Sequence, residues 1–106
     1  MKRYVFILFI FLILMFSSPV WASKSLSKKT IVIDPGHGGM DPGTVSGKVL
    51  EKDLNLAISL ALKDALIKKG AHVILLRSGD YDLSMPKATH RKKSDFDNRI
   101  KIINTS

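Results

Sequence analysis

The sequence of 106 residues contains no cysteine. A disulfide framework is therefore excluded, and a small domain built from this chain must draw its stability from packing, a bound metal or additional chain. Acidic residues are scarce, 9 against 17 lysines and arginines, for a formal charge of +8. No G-x-S-x-G motif occurs at any position, so the nucleophile elbow of an α/β-hydrolase is missing. Internal repeats and low-complexity tracts are also absent beyond the first segment.

The longest apolar run is Tyr4–Phe16, 13 residues without a charge. At 1.5 Å per residue it covers about 20 Å, short of the roughly 30 Å hydrocarbon core of a bilayer. Lys2 and Arg3 precede it, Ser17-Ser18-Pro19 break it, and Val20-Trp21-Ala22 places small or branched residues where a signal peptidase reads. This order predicts a secretory signal peptide over residues 1–22, hence an exported chain with no stable membrane span after cleavage. Only Lys2 and Arg3 of the 17 basic residues lie in that segment, so 15 against 9 acids leave +6 on the rest. Such a charge suits an anionic polymer of the cell envelope or a membrane surface. Nucleic acid is not expected as a partner, because the basic residues are spread along the chain instead of alternating with aromatics, and export removes the chain from the nucleic-acid compartment.

Residues 23–29 (SKSLSKK) form a short polar linker. Thr30–Asp34 is β-branched and apolar and stops at Pro35, Gly36 and Gly38, predicting a short buried strand. A Gly- and Asp-rich loop follows over 35–48. Between Lys52 and Lys69, Leu54, Ala57, Ile58, Ala61, Leu62, Ala65 and Leu66 recur three and four apart, predicting a helix that buries this stripe, with Gly70 at the C′ position. His72–Leu76 is a second strand. Strand, helix and strand make a βαβ unit with a parallel pair. Residues 77–93 lack periodicity and are expected as a long surface loop. A further helix is expected from Ser94 as N-cap, with Asp95 and Asp97 in its first turn and Phe96, Ile100 and Ile103 on one face. The expected fold class is α/β: a partial open sheet of parallel type, one βαβ unit plus a further helix, with a third main strand due next.

The chemistry concentrates in Asp34-Pro35-Gly36-His37-Gly38-Gly39 and Asp41-Pro42-Gly43. His37 follows the carboxyl end of the first strand, the edge where open parallel sheets bind ligands. Gly36, Gly38 and Gly39 are expected to leave room for close approach to the imidazole. Asp34 is the expected acceptor for the second imidazole nitrogen, the usual support for a metal-bound histidine. Glu51 stands where the first helix begins, at the same edge. A His and a Glu facing one point suit Zn²⁺. On spacing alone other readings stay open: His37 as a turn or anion-loop residue, and Glu51 as an acid favoured by the helix dipole.

Four ordered motifs carry a family resemblance. They are Ile31-Val32-Ile33-Asp34-Pro35-Gly36-His37-Gly38-Gly39 with Asp41-Pro42-Gly43; Leu50-Glu51-Lys52-Asp53-Leu54-Asn55-Leu56; Val73-Ile74-Leu75-Leu76-Arg77; and Arg99 with Ile102-Ile103-Asn104. Residues 30–104 resemble the start of the catalytic domain of zinc-dependent N-acetylmuramoyl-L-alanine amidases, most like the germination-specific members of spore-forming bacteria. The resemblance implies a zinc amidase fold of the phosphorylase/hydrolase-like type. It also implies hydrolysis of the amide between N-acetylmuramic acid and L-alanine in peptidoglycan, with a role in spore cortex maturation or germination and a place in the cell wall or the space around the forespore. It matches His37 to the first zinc ligand and Glu51 to the second, with Asp34, Gly36, Gly38 and Gly39 as the site loop. The family's third ligand, a histidine on the strand after the Arg…Asn helix, and its general-base glutamate find no counterpart before Ser106. The domain is thus expected as residues 30–106, the N-terminal portion of the catalytic domain, truncated before its third main strand and inactive by itself. His72 and His90 are expected as ordinary strand-end and loop histidines. Two other readings compete: a non-catalytic wall-binding fragment using its charge, and an α/β-hydrolase-like esterase in which His37-Gly38-Gly39 forms an oxyanion-hole turn.

Overall fold

The computed structural model describes residues 25–106; the expected signal peptide over 1–22 lies outside them. Among the described residues no helix is long and apolar enough to cross a membrane. Strand β1 (Thr30–Ile33) pairs in parallel with β4 (His72–Leu75), in the register Thr30 to His72 through Ile33 to Leu75. Helix α1 (Glu51–Lys68) connects them, giving the expected β-α-β order. Because the pair is parallel, both strands end at one edge, where the Leu76 amide donates to the Ile33 carbonyl at 3.0 Å. The segment after β1 and the segment after β4 therefore leave the sheet side by side. This is the edge that carries the site.

Between β1 and α1, strands β2 (Val45–Ser46) and β3 (Val49–Leu50) form a short antiparallel hairpin that the sequence reading leaves inside a loop. Its signal is brief: two valines around a Ser-Gly-Lys turn, two residues on each arm, too few for alternation to register. Helix α1 begins at Leu50 without a side-chain cap, and Glu51 and Asp53 place negative charge in its first turn instead. It ends in a Schellman arrangement, with the Gly70 amide donating to Ile67 at 2.9 Å and the Ala71 amide to Leu66 at 3.1 Å. Ala71, Ile33 and Leu76 are the buried apolar residues at the centre.

The face of α1 that meets the sheet is not the expected one. Leu54, Ile58 and Leu62 are 52%, 65% and 46% exposed, while Asn55, Leu56, Ser59 and Leu66 turn inward. Polar anchors set this rotation. Asn55 Nδ2 donates to the Gly36 carbonyl at 3.3 Å, and Lys52 Nζ donates to the Gly39 carbonyl at 2.8 Å. The buried Ser59 is small enough to let the helix approach the strands. A parallel sheet needs cover on both faces, and the apolar stripe of α1 stays uncovered among the described residues.

Helix α2 (Arg91–Asn104) is capped at His90, four residues before the expected cap Ser94, and His90 makes no side-chain cap bond. Ser94 Oγ and Asp95 Oδ1 accept from the amides of Met85 at 2.9 Å and Leu83 at 2.6 Å. The capping chemistry is present but is applied to the loop that runs in front of the helix. Arg91 donates to both carboxylate oxygens of Asp82 at 3.0 and 2.8 Å. Together with Ser84 it holds the Asp82 carboxyl down at about 2. A carboxyl depressed on folding stabilises fully above its ordinary value of about 4 and loses that contribution as pH falls toward its folded value. Hydrogen exchange across residues 82–85 should therefore show an acid step between about pH 4 and pH 2, and Asp82→Asn should remove it.

Candidate metal centre

Asp34 leaves β1, the buried Pro35 follows it, and two residues later His37 has φ 61°, in the left-handed region. For a residue with a Cβ that conformation costs about 1–2 kcal/mol. A tight turn closes behind it: the Gly38 amide donates to the Asp41 carbonyl at 2.9 Å and the Asp41 amide returns to Gly38 at 3.1 Å. This folds Asp41 back onto the imidazole, with Nδ1 and Asp41 Oδ2 2.9 Å apart. The His37 hydrogen bond, opposed by partial burial and aided by the Gly43 amide, holds the Asp41 carboxyl below the usual carboxylate range. An ionised Asp41 accepts, so Nδ1 carries a proton and the neutral ring has its lone pair on Nε2. Asp34, the acceptor expected from sequence, does not reach the ring. Its Oδ1 is taken by Arg99 on α2, because the strand end directs it to the helix side.

Nε2 faces Glu51 Oε1 at 3.4 Å. The other carboxylate oxygen accepts from the Thr44 amide at 2.7 Å, and that bond is the first reason the Glu51 carboxyl lies below its ordinary value. The amides of Glu51 and Lys52 donate to the carbonyls of Thr44 and Pro42 at 3.0 and 3.1 Å. The loop thus takes up orphan donors of the helix start and fixes Glu51 against His37. The structure brings the two sequence-predicted ligands together, His37 from the loop after β1 and Glu51 from the first turn of α1. Between them lies Gly43, at φ +67°, where a Cβ would sit 2.7 Å from His37 Cδ2 and 2.8 Å from Glu51 Oε2.

The other loop glycines do not open space at the imidazole as expected. A Cβ on Gly38 would meet the Tyr81 carbonyl at 2.5 Å and Arg77 Nε at 2.9 Å, on the far side of the loop. Gly39 is clamped by its own amide donating to Asp80 Oδ1 at 2.8 Å, and Lys52 Nζ joins its carbonyl to Asp80 Oδ2. Both amides that an oxyanion-hole turn requires, those of Gly38 and Gly39, are already engaged. The esterase reading loses its geometric basis here.

Arg77 opens what the sequence reading treats as a surface loop, yet it is 1% exposed. Its donors reach the carbonyls of Pro35, Gly36, Lys52 and Gly79, all within 2.9 Å. Arg99, 5% exposed, reaches Asp34, Asp95 and the carbonyls of Pro35 and His37. Neither role is visible in local patterning; the one hint for Arg77 is a charge placed directly after a buried strand at the ligand edge. His72 is exposed and pairs with Thr30 at the opposite end of the sheet from His37, and His90 is exposed at the start of α2. Among the described residues no set of three His, Cys, Asp or Glu side chains gathers as a metal cluster. A cavity of 550 Å³ lies beside His37, bordered also by Asp41, Lys92, Phe96 and Arg99.

Comparison with known proteins gives the family. Residues 31–106 match the family model described as N-acetylmuramoyl-L-alanine amidase. The germination-specific N-acetylmuramoyl-L-alanine amidase of Bacillus subtilis is 41% identical over 109 residues, covering 97% of this chain and 46% of the relative. A probable N-acetylmuramoyl-L-alanine amidase of Haemophilus influenzae, AmiB, is 47% identical over 62 residues, 55% of this chain and 14% of that protein. Among solved structures, the CwlD amidase of Clostridioides difficile, determined in complex with the GerS lipoprotein, superposes with a TM-score of 0.69 at 40% identity, over 74% of this chain and 43% of that one. The amidase AmiC2 of Nostoc punctiforme superposes with a TM-score of 0.50 at 32% identity, over 72% of this chain and 40% of that one. This chain spans less than half the length of these relatives. With its family match running from β1 through α2, the chain belongs to the N-acetylmuramoyl-L-alanine amidase family.

Proposed function

We propose that residues 1–22 are an export signal, 23–29 a linker, and 30–106 the N-terminal portion of a zinc-dependent catalytic domain that hydrolyses the amide between N-acetylmuramic acid and L-alanine in peptidoglycan. The proposed role is in spore cortex maturation or germination, outside the cytoplasmic membrane. The single observation that carries the metal assignment is the spacing of His37 Nε2 and Glu51 Oε1, 3.4 Å. Two ligands at about 2.0–2.2 Å from one zinc, at the tetrahedral angle, stand roughly 3.3–3.5 Å apart. With the ring proton on Nδ1, the Nε2 lone pair and a Glu51 carboxylate oxygen face one point, a donor set that suits a cation.

In this reading His37 and Glu51 are two of the metal's ligands, and Asp41 holds the ring in the tautomer that frees Nε2. Gly43 keeps the space between the two ligands clear. Zinc, when bound, supplies a polarised carbonyl and a water of lowered pKa. The cavity beside His37, with Phe96 and Lys92 on its border, is where the muramoyl peptide would lie. A third ligand and the general-base glutamate, which the family resemblance puts on later segments, lie outside residues 30–106. These residues alone are therefore expected to bind zinc weakly and to cleave nothing.

A hybrid tests the reading without that handicap: residues 30–106 of this chain replace the matching part of the Bacillus subtilis germination-specific amidase. The hybrid should release stem peptides with free L-alanine amino termini from peptidoglycan, and a zinc chelator should stop it. A folded hybrid that releases none, or whose activity ignores the chelator, would refute the proposed function.

A further inference from the structure

We infer that Arg99 and Arg77 are positioning residues, whose guanidinium groups lock the backbone of Pro35–His37 so that His37 presents Nε2 to Glu51. The inference rests on the reading of His37 and Glu51 as metal ligands. After Ile33 the chain leaves the β1–β4 ladder, and the carbonyls of residues 35, 36 and 37 need other partners. Arginines supply them in series. Pro35 accepts from Arg77 Nε at 2.8 Å and from an Arg99 terminal nitrogen at 2.9 Å. Gly36 accepts from Arg77 at 2.9 Å. His37 accepts from the second Arg99 terminal nitrogen at 2.8 Å.

The guanidinium of Arg99 is a planar fork, so its two terminal nitrogens hold the carbonyls of residues 35 and 37 at a fixed separation. The residue whose backbone is fixed at the end of that span is His37, the one with φ 61°. An unfavourable conformation persists where its surroundings over-determine it, and here the surroundings are two arginines from different elements. Arg99 is neutralised by Asp34 and Asp95. Arg77 makes no ion pair among the described residues and bonds only carbonyls. A buried cation with only backbone acceptors serves to hold chain in place. Helix α2 and the end of β4 thus act on the ligand loop from a distance of more than 40 residues in sequence.

Arg99→Lys in the full chain keeps the charge for Asp34 and Asp95 and removes the fork. Expected are a far-UV spectrum and melting temperature close to the parent's. Zinc affinity, measured by competition with a chromogenic chelator, should fall about tenfold or more, the lower end of what outer-shell changes cost. In metal-free protein the His37 Nδ1–H resonance, sheltered by Asp41, should broaden into solvent exchange. Asp97→Asn, which breaks the exposed pair with Lys93 on the same helix, should change neither. Parent-like zinc affinity together with a parent-like His37 resonance in Arg99→Lys would overturn the inference. If the parent itself binds no zinc, the metal reading fails, and the His37 resonance alone decides the positioning role. If Arg99→Lys unfolds, Arg77→Lys takes the same two measurements, and a parent-like result there overturns it equally.

Discussion

His37→Ala and Glu51→Ala, each placed in the hybrid amidase, should lower amide cleavage at least about 100-fold, beyond the 10–100-fold that loss of an outer-shell partner costs. Each removes one of two donors aimed at the same point, 3.4 Å apart. Glu51→Gln keeps the size and the Thr44 contact of the side chain but removes its charge, and should fall between the parent and Glu51→Ala. Asp41→Asn should cost less than either ligand change, because it alters the support of the ring and leaves Nε2 in place. Peptide release followed by amino-group labelling gives all four numbers. If His37→Ala retains more than a tenth of the parent rate, His37 is not a ligand.

Gly43→Val is expected to damage the site and the fold together. It forces a β-branched residue into φ +67°, at about 1–2 kcal/mol, and drives its Cβ into His37 and Glu51. A loss of roughly 2–4 kcal/mol in stability and of at least about tenfold in zinc affinity should follow. Gly47 is the natural control. Its φ of +58° is similarly left-handed, but a Cβ there meets nothing within 4 Å. Gly47→Val should show the backbone cost alone and bind zinc as the parent does. Chemical denaturation and chelator competition on both variants separate strain from steric damage, and equal zinc affinities in the two would remove Gly43 from the site.

What was legible in the sequence is what local chemistry specifies. The β-branched burst before Pro35, the three- and four-residue spacing over α1 and the Gly70 stop gave the βαβ unit. The His37–Glu51 pairing came from resemblance, since spacing alone left both residues with ordinary explanations. The remainder depended on contacts between distant parts of the chain. The orientation of α1 is decided by Asn55 and Lys52 bonding carbonyls of the ligand loop, so its periodic apolar stripe points away from the sheet. Asp41 supports His37 in place of Asp34 because a four-residue turn folds it back, while Arg99 claims Asp34. Arg77 looked like the start of a polar loop because nothing in its neighbours announces the carbonyls it meets across the sheet edge. A polar side chain that holds backbone leaves no period to read.

The proposed metal site requires His37 to donate Nε2 and Glu51 a carboxylate oxygen to one zinc ion. Titrating the ¹⁵N-histidine-labelled chain with zinc and following the imidazole nitrogens reads this directly. His37 Nε2 should shift with zinc while Nδ1 keeps its hydrogen bond to Asp41, His72 and His90 should not respond, and Glu51→Ala should weaken the shift. A zinc response at Nδ1, or none at His37 while another histidine moves, would contradict it.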